Sequence, residues 1–141
     1  MRSLRARAIE IWAFDELLLN PDRTQAKPNC LTNGLDIAVI DHEKALDCIG
    51  VGGLVPAPWE ERWQPHDNHI FYPLARSGGG NLATVRPAWS KITIADVDAA
   101  LSSVPAEWGL NSTTRGETRA YLSDLIGNID NALMNLEKVL S

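Results

Sequence analysis

Between Leu4 and Leu19, the residues Leu4, Ala8, Ile11, Trp12, Asp15, Leu18 and Leu19 recur at three- and four-residue steps, the period of a helix buried on one face. Pro21 ends that helix. The residue before a proline is pushed out of the helical region, so Asn20 marks the break and Asp22 opens a loop. Asn33-Gly34 then signals a two-residue hairpin turn, flanked by Asn29 to Thr32 and by Leu35 to Ile40. A helix, a loop and a short hairpin in immediate succession constrain the fold strongly. Asn29 enters the hairpin and Asp41 leaves it, so both polar side chains belong at its open end, and the loop from Asp22 closes over the same spot.

The rest of the chain divides by its punctuation. From Asp47 to Ala88, Gly50, Gly52, Gly53, Pro56, Pro58, Pro65, Gly78 to Gly80 and Pro87 leave room for few regular elements. Trp59, Trp63, His69, Phe71, Tyr72 and Leu74 are expected to anchor this irregular segment, with a short helix near Trp59 to Trp63 and a strand or extended lid over Asn68 to Leu74. Thr93 is expected to cap a helix over Ile94 to Ser102, with Asp96 completing a capping box, and Pro105 stops it. A last single helix is expected from near Thr114 or Arg115 to Leu140, buried along Tyr121, Leu122, Leu125, Ile129, Leu133, Leu136 and Leu140. The reading is one α+β, mostly α, domain over residues 1–141: a loop at 20–31, a strand-end motif at 40–43, an irregular segment at 47–88 and helices at 93–140.

Composition excludes several function classes. A chain of 141 residues that is 45% hydrophobic can bury a sizeable core. Thirteen Lys plus Arg against eighteen Asp plus Glu give a net charge of −5, which argues against a nucleic-acid surface. Arg2, Arg5 and Arg7 gather in one stretch without interleaved aromatic residues, so they read as a solvated helix face. No apolar run approaches the roughly 18 residues of a membrane span, and Glu10, Asp15 and Glu16 interrupt any signal-peptide pattern. Cys30 and Cys48 lack CxxC spacing, so reduced thiols in a cytoplasm are expected, with one disulfide as the alternative.

Three short motifs carry the chemistry: Asn20-Pro21-Asp22-Arg23, Lys27-Pro28-Asn29-Cys30-Leu31 and Ile40-Asp41-His42-Glu43. An Asp-Arg pair closing a helix, an Asn a few residues on and a second Asp ending a strand would supply a catalytic carboxylate and two magnesium ligands, parts that phosphoryl transfer needs. The candidates are Asp22 as the catalytic carboxylate, Arg23 to steady its loop, and Asn29 with Asp41 to hold magnesium. Plainer readings stand beside these. Asp22 and Arg23 would serve as a capping or ion pair, and Asn29 as an ordinary turn residue. His42 and Glu43 read as structural, with His42 bonding a loop carbonyl. His66, Asp67 and His69 lack a fourth zinc ligand. The glycines at 50–53 and 78–80 lack a following Lys-Ser or Lys-Thr and read as flexible loops. Trp12, Trp59, Trp63, Trp89 and Trp108 read as staples between loops and core.

Phe14-Asp15-Glu16-Leu17-Leu18, together with these three motifs, resembles the HipA-like kinase family, itself distantly similar to the phosphatidylinositol kinases. Asp67-Asn68-His69-Ile70-Phe71, Val104-Pro105-Ala106-Glu107-Trp108 and the closing helix are similar to its carboxy-terminal region. The resemblance implies a kinase C-lobe using ATP and Mg2+, with Asp22 and Arg23 at the catalytic loop and Asn29 and Asp41 at the metal.

Two departures stand out. Family members commonly show Asn-Pro-Asn where this chain has Lys27-Pro28-Asn29, and a protonated lysine cannot coordinate magnesium. Either Asn29 moves in as the ligand, or Lys27 turns outwards, or the site is weakened. There is also no Gly-rich strand-turn-strand and no strand lysine to clamp ATP, features of an N-lobe. The expected function is therefore phosphoryl transfer from ATP to a hydroxyl acceptor, a protein Ser or Thr among them, when an N-lobe is supplied. A kinase-derived binding module acting on a partner protein through the former lobe-lobe surface is the alternative. A split enzyme with its N-lobe encoded by a neighbouring gene is a third.

Overall fold

Ser3 starts the first helix: its hydroxyl accepts from the Ala6 N–H, and α1 runs Leu4–Leu17. A computed structural model describes residues 3–49 and 54–141, so the glycines at 50–53 and Arg2 lie outside the described residues. Helix α1 is the central strut. Ile9, Trp12, Ala13 and Leu17 enter the main core, while Ala8 and Ile11 enter a smaller one. The helix ends two residues earlier than its apolar period predicts. Leu19 takes a left-handed φ of 50°, which breaks the hydrogen-bond ladder before Pro21 has to.

The hairpin forms where expected, as β1 (Cys30–Thr32) antiparallel to β2 (Ile37–Val39), with Thr32 opposite Ile37. Its connection has four residues, Asn33 to Asp36, in place of the expected two. Side chains explain the difference: Asn33 Oδ1 accepts from the N–H groups of Leu35 and Asp36, and Thr32 Oγ1 accepts from Gly34. Those bonds satisfy the backbone groups that a tighter turn would have paired across the strands. Ile37 packs on Ala8 and Ile11, fixing the hairpin against α1.

Between residues 54 and 92 two expectations change. The short helix near Trp59 to Trp63 is a pair of successive turns, closed by Glu60 N–H to Ala57 O and Trp63 N–H to Glu60 O. Pro56, Pro58 and Pro65 offer no N–H donors, and the Glu60 carboxylate captures the Ala57 N–H. Asn68 to Leu74 is neither strand nor lid: His69 makes one bridge to Thr24, and helix α2 (Tyr72–Arg76) follows at once. Pro73 lies in its first turn, where a missing N–H costs nothing. Helix α3 (Arg86–Trp89) starts on Pro87 in the same way. Arg5 is more than a solvated helix face, because its guanidinium donates to Leu74 O, Ser77 Oγ and Gly78 O and so closes the open end of α2.

Helix α4 (Ile94–Ser102) has the expected capping box, with Thr93 Oγ1 accepting from Asp96 N–H and the Asp96 carboxylate accepting from Thr93 N–H. A 3-10 turn, Ala106–Trp108, follows Pro105. The expected last helix is two, α5 (Ser112–Gly127) and α6 (Ile129–Leu140). Asn111 caps α5 early by accepting from Thr114 N–H, and Asn128 breaks the run by turning its Nδ2 onto Asp124 O. The predicted stripe nonetheless packs as read: Leu125, Leu133, Leu136 and Leu140 are buried, with Tyr121, Leu122 and Ile129 against them. The fold is α+β and mostly helical, with a helical core and one short hairpin. No helix among the described residues is long and apolar enough to cross a membrane.

Candidate functional site

The site is built in two layers at the C-terminal end of α1. The lower layer is buried. Asp15 and Glu16 close α1 with carboxylates shut off from water, a costly placement unless cationic or hydrogen-bonding partners meet them. Asp15 accepts from Arg23 Nε at 2.5 Å, Asn20 Nδ2 at 2.9 Å and His69 Nε2 at 3.0 Å. His69 Nδ1 accepts from the Phe71 N–H, so the ring proton resides on Nε2 and points at Asp15. Burial pushes the Asp15 carboxyl up, but the bonds from His69, Arg23 and Asn20 outweigh it and hold the group below the usual carboxylate range. Glu16 accepts from the backbone N–H of His66 and lies 3.0 Å from its Nδ1. That carboxylate pushes the His66 ring up, against the opposing effect of burial.

Arg23 joins this layer to the loop above. Its guanidinium, fully buried, also donates to the carbonyls of Asn29 and Ile40, the two residues at the hairpin mouth. The loop is pinned again where Ile70 N–H reaches Arg23 O and Thr24 bridges His69. Arg23 thus cannot touch a substrate, and its role is to position the loop.

The upper layer faces solvent and holds the three predicted oxygen-bearing side chains together. Asn20 Oδ1 accepts from Asp22 N–H and aims Asp22 outwards from the helix end. Asn29 Nδ2 donates to Asp22 Oδ2 at 3.2 Å and to Asp22 O at 3.3 Å. Asn29 and Asp41 both adopt left-handed backbone, with φ of 45° and 55°, as do the flanking Leu19 and Leu46. All four non-glycine residues of that kind among the described ones fall between positions 19 and 46, and such strain collects around functional sites.

The donor set differs from the predicted one in two respects. Oxygen atoms of Asp22, Asp41 and Glu43 all lie within 4.8 Å of one another, whereas Asn29 turns its amide nitrogen to Asp22. From the sequence Glu43 reads as structural, and its Asp-x-Glu spacing from Asp41 is the available signal that it joins the donors. Three hard oxygen donors suit Mg2+. Lys27, however, turns inwards: its Nζ lies 2.5 Å from Asp22 Oδ2 and 3.5 Å from Asp41 Oδ2. The Lys27 ammonium holds the Asp22 carboxyl below its usual range, and Asp22 in return pushes Lys27 up.

Other candidates resolve as structure. His42 is exposed and sets its ring edge-on to Phe14 at 6.3 Å, in place of the expected bond to a loop carbonyl. His66 and His69 serve Glu16 and Asp15. Cys30 and Cys48 are free thiols. The buried carboxylates were the residues that sequence reasoning missed, although Asp15 lies in the apolar stripe of α1 and a carboxylate on a buried face demands partners. Comparison of the chain with protein-family models, curated proteins and solved structures finds no match.

Proposed function

We propose that this chain is the C-lobe of a phosphotransferase similar to the HipA-like kinases, passing the terminal phosphate of ATP to a hydroxyl acceptor, a protein Ser or Thr among them, once an N-lobe is supplied. The observation that carries this reading is the meeting of Asp22, Asn29 and Asp41 at one mouth, on a loop that Arg23 locks to α1. Asp22 would orient the acceptor hydroxyl and take its proton, with Asn29 Nδ2 steadying its carboxylate. Asp41 and Glu43, with Asn29 beside them, would hold Mg2+, which when bound supplies positive charge to the phosphate oxygens. We place this chemistry in the cytoplasm, where the free Cys30 and Cys48 would stay reduced.

A second reading is supported by Lys27. An ammonium seated among the carboxylates is what a kinase-derived, non-catalytic module acting on a partner protein would be expected to carry. Nucleotide titration separates the two. Magnesium-dependent ATP binding by the chain assembled with an N-lobe, lost in Asp41→Asn, is expected for the phosphotransferase. No nucleotide binding by that assembly would leave the module.

A further inference from the structure

We propose that the apolar cavity between α1, α4 and α5 is a binding site for a small uncharged molecule built on a single aromatic ring. The site is separate from the carboxylate mouth and does not depend on the phosphotransferase reading. The cavity holds about 120 Å3, and Phe14, Trp89, Val97, Leu122, Leu125 and Ile129 are among its walls. Among the described residues that line it, the Trp89 indole N–H is the only polar side-chain atom. Two carbonyls of lining residues are also taken, Leu17 O by the Tyr121 hydroxyl and Leu18 O by the Leu46 N–H. An ordered water needs about two to four polar partners, so this space does not suit water. Walls without neighbouring atoms forfeit dispersion contacts, and an apolar ligand restores them.

Size and wall chemistry choose the ligand. In another protein, a dry cavity of about 150 Å3 walled by Leu, Ile and Phe takes up benzene. The rings of Phe14 and Trp89 lie 6.4 Å apart at 51° here, and a third ring meeting them offset or edge to face gains from the same quadrupole attraction. No charged group awaits a charged ligand: Arg7, Glu10 and Asp15 line a neighbouring cavity that shares only Phe14 and Trp89 with this one. Nor is the occupant the face of a second copy, because a stable interface covers about 800 Å2 on each partner and this cavity admits one ring. The cavity is preformed. Arg119 donates to both oxygens of Asp98, at 2.6 and 2.9 Å, and Arg115 donates to Leu101 O, which braces α4 against α5. Phe14 and Ile92, exposed lining residues, mark the way in.

The test is a titration of the full chain with fluorobenzene, followed by fluorine NMR, on the parent, Val97→Phe, Leu122→Phe and Leu122→Ala, each checked for folding by thermal melting. The expected result is saturable binding by the parent with a Kd of about 1 mM or tighter. Val97→Phe and Leu122→Phe fill the cavity and should each weaken binding at least about tenfold, and benzylammonium should bind the parent at least about tenfold more weakly than fluorobenzene. Leu122→Ala tests the same space without crowding the core, because the widened cavity should accept 1-fluoronaphthalene, which the parent excludes. The proposal is overturned by no saturable shift in the parent, by undiminished binding in a folded filling variant, or by benzylammonium binding as tightly as fluorobenzene. Tighter binding of acetyl-phenylalaninamide than of fluorobenzene would overturn it too, in favour of a side chain from a partner protein.

Discussion

Arg23 Nε meets Asp15 Oδ2 at 2.5 Å with neither side chain reaching solvent, and the same guanidinium donates to the carbonyls of Asn29 and Ile40. One residue thus ties the end of α1 to the loop and to both sides of the hairpin mouth. The presentation of Asp22, Asn29 and Asp41 depends on that tie. Removing one partner of a buried pair leaves the other charge uncompensated, at a typical cost of about 3 to 5 kcal/mol. Arg23→Met and Asp15→Leu are each expected to lose about that much in urea unfolding, and the double variant less than their sum. Losses under about 1 kcal/mol would mean that the pair does not hold the loop.

The acid limb of stability should follow Asp15. Its folded-state carboxyl titrates below the ordinary value of 3.8, so its contribution is present above 3.8 and is lost as pH falls through the depressed folded value. The parent is expected to keep this contribution through pH 4 and lose it only lower. Urea midpoints of parent and Asp15→Asn should converge in that acid range; a gap that stays constant down to pH 2 would contradict the assignment.

His66 acts with the opposite sign. Its folded value is raised above 6.5 by Glu16, so its contribution is complete below 6.5 and disappears as pH rises through the raised value. Comparing parent with His66→Gln by thermal melting from pH 6 upwards should show the parent's advantage shrinking. An advantage that grows with pH would reverse the account.

Away from the site, Tyr121 donates its hydroxyl to Leu17 O at 2.7 Å while its ring lies 5.4 Å from that of Trp59. Burial pushes the phenol well up, so it remains a donor at any ordinary pH. Tyr121→Phe keeps the ring packing and is expected to cost about 0.5 to 1.5 kcal/mol by leaving the last carbonyl of α1 without that donor. Chemical denaturation measures it, and an unchanged midpoint would show that water replaces the bond.

Local features were legible in the sequence and long-range ones were not. The Thr93-Asp96 capping box needs only residues three apart, and it formed as read. The hairpin was found, but its loop length depended on the Asn33 side chain competing for backbone donors. The break at Asn128 was hidden because the apolar stripe continues across it from Leu125 to Leu133. Within the site, Asp22, Asn29 and Asp41 were found because helix, loop and hairpin follow one another along the chain. The bond from His69 to Asp15 spans 54 positions, and no local pattern announces it. The inward turn of Lys27 likewise depends on Asp22 and Asp41 already being side by side, a product of the tertiary fold.

Transfer of labelled γ-phosphate from ATP, by the chain assembled with an N-lobe, tests the role of Asp22 most directly. Asp22→Asn keeps the shape of the side chain and removes its charge, and folding is checked by thermal melting. Transfer is expected to drop by about a hundredfold or more, the usual worth of a positioned acid-base group. Transfer by Asp22→Asn as fast as by the parent would contradict it.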